Sequence, residues 1–331
     1  MTRKASNIIR ILGSAFIAAS LLQAAVPLNT GSPRFAVHAY KAKPLTAVHD
    51  QRYQLIEIQI PGVDPWTSDV TPLDINNRGT VSIIITNFFP PEVYTVLLFK
   101  DGTFRKIQHP GSTITSMIAS NDGILFGNWG EFDRQTAGVY NPATDRWTAL
   151  PDISGKPLVF GQRMNDAGRA IGQACEGVWY GNFNCVGWSW DPIRHQYDFP
   201  AAPDAATTWP QGINNAGRIV GTWSPAPDLW GDQYGYLQDG DDFETIPPDA
   251  QSNALDINAR GDILVQTPVE GCLDCFWQQG IWTGGRFNPL PSWSEPAIAT
   301  FYLGLNDSRD GAGFWWEDNF LKHPFIAIRN Q

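Results

Sequence analysis

Gln211-Gly212-Ile213-Asn214-Asn215-Ala216-Gly217-Arg218-Ile219-Val220-Gly221-Thr222-Trp223 decides the fold. It is an apolar run, a turn and a second apolar run. Ile213 and Ile219 are β-branched and flank residues rich in turn formers, as in a hairpin. Gly217 can take positive φ, which suits a type I turn closed by a glycine bulge. Asn214 can hydrogen-bond the backbone two residues on. A turn of four residues pairs Ile213 with Arg218. It brings Trp209 and Trp223 to neighbouring positions across the hairpin, within reach of an aromatic pair.

The phrase recurs. Asp74-Ile75-Asn76-Asn77-Arg78-Gly79, Ala119-Ser120-Asn121-Asp122-Gly123, Met164-Asn165-Asp166-Ala167-Gly168 and Asp256-Ile257-Asn258-Ala259-Arg260-Gly261 are copies, and Leu305-Asn306-Asp307-Ser308-Arg309-Asp310 is a degraded one. The glycines at 79, 123, 168, 217 and 261 stand 44, 45, 49 and 44 residues apart. A second hairpin follows each phrase, at 96–107, 137–150, 186–199, 234–247 and 280–290. Four strands per repeat at that period predict an all-β fold, a six-bladed β-propeller of four-stranded blades. The sixth repeat lacks a fourth strand, whereas 53–61 precedes the first repeat and reads as one. The expectation is that this N-terminal strand completes the last blade and closes the ring. The alternation Ile56, Ile58, Ile60 against Glu57 and Gln59 puts the isoleucines inward.

The tandem Asp-Ile-Asn-Asn-x-Gly phrase resembles a bacterial extracellular repeat family named for a His-Ala-Phe tripeptide. Ala137-Gly138-Val139, Tyr234-Gly235-Tyr236 and His323-Pro324-Phe325 stand where the tripeptide would be. The resemblance covers roughly 70–329. It implies export and brings no substrate or catalytic residue.

Export is also legible at the N-terminus. Arg3, Lys4 and Arg10 lead an apolar stretch, and Ala24 and Ala25 are small enough for cleavage, so 1–25 reads as a signal peptide. An uncleaved anchor is the alternative. Residues 26–52 read as a linker and 53–331 as the propeller. No later stretch is long enough to span a membrane. Of 331 residues 43% are apolar and 17% charged, with 31 glycines, 25 prolines and 14 tryptophans, which favours short strands and turns. A formal charge of −10 with no basic stripe argues against nucleic acid as a partner. The chain is expected to be a monomer.

Chemistry-bearing residues are sparse. Cys175 and Cys185 share one loop, and Cys272 and Cys275 share another. Four cysteines allow three pairings, and local disulfides are favoured in an exported chain. The five histidines are scattered, so no metal site is expected, and Asp239 to Asp242 reads as a turn rather than a calcium loop. No cofactor is expected. Asp74, Arg163 and Asp256 stand two positions before the turn asparagine. Three blades could therefore turn charges toward the central channel, where paired carboxylates could serve a glycosidase or lyase. The other repeats carry Ile118, Gly212 and Gly304 there, which favours a structural role, and no catalytic residue is assigned.

The loops between second and third strands differ in length and carry aromatics and carboxylates, a combination suited to sugars. Trp209, Trp223, Asp228, Trp230 and Asp232 are the candidate ligand site, with core packing as the competing role for each tryptophan. The sequence thus points to a secreted or periplasmic binding module for glycan or another cell-envelope ligand. A polysaccharide hydrolase or lyase on the same scaffold is the alternative.

Overall fold

The computed structural model describes residues 52–64, 66–176, 185–226, 232–248, 250–268, 277–293, 297, 299–317 and 321–330. The expected signal segment and nearly all of the linker lie outside them, as do Cys272, Cys275, Asp228 and Trp230. The described residues form strands and turns and no helix. None of them builds a helix long and apolar enough to cross a membrane.

The strands fall into six antiparallel sets of four. We number these units one to six, over 68–107, 114–149, 158–198, 207–245, 253–289 and 299–329. Single parallel bridges, Val93 to Ile114 and Gln135 to Leu158, join the first three units edge to edge. The fourth strand of unit six comes from the other end of the chain. Tyr53–Glu57 pairs antiparallel with Lys322–Arg329, Tyr53 opposite Arg329 and Glu57 opposite Phe325. The inward side of this segment matches expectation only in part. Ile58 is buried in an apolar cluster and Ile60 packs against it, but within the strand Tyr53, Leu55 and Glu57 are buried, whereas Ile56 is only partly covered. Glu57 tolerates burial because His323 sits 3.1 Å from its Oε1.

Both faces of a unit pack on neighbours, which is why the strands are apolar on both sides. Leu97 and Ile107 of unit one meet Met117 and Leu125 of unit two. Val220 of unit four meets Ala254, Ile257 and Val265 of unit five. Ile75, Val81 and Ile83 of unit one meet Ala312 of unit six. Each such aliphatic side chain contributes about 1.5–3 kcal/mol when buried. Between units six and one the apolar seam is reinforced by Lys322, whose Nζ lies 2.7 Å from Asp69 Oδ2 and 3.1 Å from Thr71 Oγ1.

Five first strands carry a register shift just before the turn, at Pro72/Asp74, Gly161/Arg163, Pro210/Gly212, Ala254/Asp256 and Tyr302/Gly304. A bulge adds one residue and re-aims the side chains beyond it. The turn, not the bulge, changes the expected pairing next to it: the connection spans 214–218, so Ile213 faces Ile219, not Arg218. Beyond the bulge Trp209 faces Thr222 while Trp223 faces Thr208.

The connections between second and third strands do differ in length. In unit one Asn87 pairs with Glu92 and Phe88 with Pro91, so only Phe89 and Pro90 remain at the tip. Cys175 and Cys185 are directly opposed across two strands and form a disulfide.

Candidate functional site

The turn phrase folds as its residues dictate. In unit four, Gly217 N–H donates to Asn214 O and Asn214 N–H to Arg218 O, with Gly217 at φ 82°. Asn214 Oδ1 accepts from the amides of Ala216 and Arg218. That leaves the asparagine Nδ2 free to reach the next unit. Asn214 Nδ2 donates to Asn258 O at 3.2 Å, Asn165 to Asn214 O at 3.1 Å, and Asn258 to Asn306 O at 3.1 Å. Asn76 donates to Ser120 O at 2.9 Å, and Asn306 donates to Asn76 O at 3.4 Å. The last of these runs from unit six to unit one. In unit two Ser120 replaces the asparagine, and its hydroxyl stays on its own turn, donating to Ile124 O. Arg309 takes the turn position that glycine holds elsewhere, at φ 66°. Its guanidinium forks onto Asp262 of unit five at 2.8 and 2.7 Å, which offsets the left-handed backbone.

These turns surround a cavity of about 90 Å³ lined by residues of all six units. Asp74, Arg163 and Asp256 converge on it, so the structure brings together three side chains singled out by their spacing. Arg163 Nε lies 3.6 Å from Asp74 Oδ2 and 3.7 Å from Asp256 Oδ1. Its other nitrogens are committed: Nη2 donates to Leu73 O and Leu303 O, and Nη1 to Gln162 O. The acids are committed as well. Asp256 accepts the amides of Ile257 and Leu305, and Asp74 accepts that of Ile75. Burial pushes the Asp74 carboxyl upward, opposed by Arg163. Burial pushes Asp256 up to about 7, with Arg163 opposing and Asp74 adding to the rise.

The bland residues of units four and six are as necessary as the charged ones. A Cβ on Gly304 would come within 2.4 Å of Asp74 Oδ1, and one on Gly212 within 2.8 Å of Asp256 Cα. Glycine at these positions makes room for the neighbouring acid. In chain order this position reads Asp74, Ile118, Arg163, Gly212, Asp256 and Gly304, a charged residue alternating with an uncharged one.

The unit-four candidates are separated. Facing residues alternate along the hairpin, so Trp209 and Trp223 point to opposite sides of the unit. Thr222, opposite Trp209, hydrogen-bonds Asn253 of unit five. Trp223 packs with Ile171 of unit three and stacks on Tyr234, ring centroids 4.8 Å apart. Asp232 accepts a hydrogen bond from Gln251. Sequence reasoning passed over a different pair. Trp66 and Phe89 are 70% and 87% exposed, at the end of unit one opposite its turn phrase. Phe88 N–H donates to Thr67 O, so the ladder brings positions 66 and 89 side by side. Among the described residues no group of three or more His, Cys, Asp or Glu could hold a metal ion.

No protein-family model matches the chain, and no curated protein matches it. Solved structures do. A gluconolactonase from Xanthomonas campestris aligns over 90% of this chain and 99% of its own at 10% identity, with a TM-score of 0.51. An acylaminoacyl peptidase from Pyrococcus horikoshii aligns over 77% of this chain at 13% identity and a TM-score of 0.50, and the match spans 44% of the peptidase. TolB from Acinetobacter baumannii aligns over 85% of this chain and 80% of its own, at 9% identity and a TM-score of 0.46. The fold is of the β-propeller type. At such identities the likeness carries the fold alone.

Proposed function

We propose that the chain is an exported, non-catalytic six-bladed β-propeller that binds a glycan of the cell envelope through its variable-loop end. Six four-stranded units, an asparagine bridge from unit six to unit one and a fourth strand contributed by Tyr53–Glu57 support a closed ring. The Cys175–Cys185 disulfide fits an oxidising, non-cytoplasmic compartment. The observation that carries the binding role is the exposure of Trp66 and Phe89. Large aromatics so exposed are costly in water unless something covers them, and a sugar ring stacks on such a face. In unit four, Trp223 on Tyr234 forms a second aromatic edge. Asp228 and Trp230 follow it in sequence, and Asp232 is a hydroxyl acceptor. Trp209 lies on the side of the hairpin from which Thr222 bonds unit five, away from this edge.

Catalysis is the competing role, favoured by the convergence of Asp74, Arg163 and Asp256. Their bonding argues against it. Both Asp256 oxygens hold backbone amides, and Arg163 is fixed by three carbonyls. A cavity of about 90 Å³ is smaller than the roughly 150 Å³ that accommodates benzene. A glycan array with the secreted protein tests the proposal, with hydrolysis and elimination assays on every sugar that binds. The expected outcome is retention without turnover, lost in a Trp66→Ala, Phe89→Ala double variant that melts like wild type. Retention unchanged in that variant, or turnover that Asp256→Asn abolishes, overturns it.

A further inference from the structure

We infer that the ligand of the variable-loop end carries positive charge: it is a glycan with free amino groups. This rests on the glycan-binding role proposed above and narrows its chemistry.

The two ends of the molecule differ in charge. Between-strand segments at the turn end hold eight acids and seven bases. The described segments at the opposite end also hold eight acids, but only two bases, Arg134 and Lys156. Both bases already have acidic partners: Arg134 lies 3.9 Å from Asp152 and Lys156 lies 3.0 Å from Glu176. The excess negative charge therefore sits on the end that also exposes Trp66 and Phe89. One-signed loops around a recognition face raise the local concentration of the opposite charge. They repel a polymer of uronates or sulfated sugars, since like charges brought together raise the energy.

Aromatic faces beside carboxylates are also the chemistry that holds an ammonium. Unit one shows the arrangement in its own side chains: Lys106 Nζ lies 3.8 Å from the Tyr94 ring centroid and 3.3 Å from Glu92. An amino sugar presents the same two features at once, an apolar ring face to stack on an indole and an ammonium to face a carboxylate.

The test compares immobilised hexamers of glucosamine, N-acetylglucosamine and galacturonate, with hexalysine as a fourth probe, on the full secreted chain at low and physiological salt. Glucosamine hexamer should bind at least about tenfold more tightly than its acetylated form and weaken as salt rises. The galacturonate hexamer should not bind. An Asp133→Lys, Asp152→Lys double variant should lose about tenfold for the glucosamine hexamer with an unchanged melting temperature, since both side chains are exposed. Equal binding of the acetylated hexamer, or preference for galacturonate, overturns the charge inference and leaves glycan binding standing. Hexalysine binding as tightly as the glucosamine hexamer overturns it in favour of a basic peptide. No retention of any glycan, on these probes or the array, overturns both.

Discussion

The two ends of each unit are built from the same number of connections and behave as opposites. At one end the turns are copies of one phrase, their asparagines spend both side-chain atoms, and acids and bases nearly balance. At the other the connections differ from unit to unit, and large aromatics stand in solvent. The phrase that repeats in sequence is the one that must meet its own neighbours, because each turn hydrogen-bonds the next. A segment with no such partner is released from the repeat and can carry recognition.

The largest effects of substitution are expected at the turn end. Arg163→Leu should cost about 3–5 kcal/mol by leaving two buried carboxylates without their cation, read by chemical denaturation. Loss below about 1 kcal/mol would mean that the charges do not hold the units together. The same cluster should make stability depend on pH. The folded pKa of Asp256 is raised, to about 7 from the ordinary 3.8, so the folded state binds the proton more tightly than the unfolded chain does. Its contribution is complete below about pH 4 and is lost as pH rises through about 7. The stability advantage of wild type over Asp256→Asn should therefore shrink across that window, and a constant difference would contradict the assignment. Asn214→Ala removes acceptors for two amides and the bridge to Asn258, and should cost about 1–3 kcal/mol. At the other end, Trp66→Ala and Phe89→Ala should each change stability by less than about 0.5 kcal/mol. A large loss there would show that these rings are packed after all.

Much of the turn end is readable from the chain. Gly217 and Asn214 announce their conformations locally, and five copies at a regular period announce the repeat. The spacing of Asp74, Arg163 and Asp256 from the turn asparagine also predicts that they share a side of the molecule. Their contact cannot be read, because Arg163 reaches units one and six, 90 and 140 residues away in sequence. The bulge is hidden too. It sits at Gly212, which lies against Asp256 of unit five; without it the register of Ile213 with Ile219 would put Trp209 opposite Trp223, and with it Trp209 faces Thr222. Trp66 and Phe89 escape a reading by pattern because nothing periodic distinguishes an exposed aromatic from a packed one. The tip at Phe89–Pro90 looks like a longer loop in sequence, and the inward choice of Leu55 over Ile56 depends on the partner strand.

Tyr53 lies opposite Arg329, and that pairing bears on when the molecule can fold. A chain delivered across a membrane from its N-terminus presents the outer strand of unit six first and that strand's only partner last. Units one to five can form as they emerge, but the final seam has no second edge until the C-terminal residues have crossed. Under the export proposed above, compaction of the whole would be deferred to the far side, where Cys175 and Cys185 would also meet oxidising conditions.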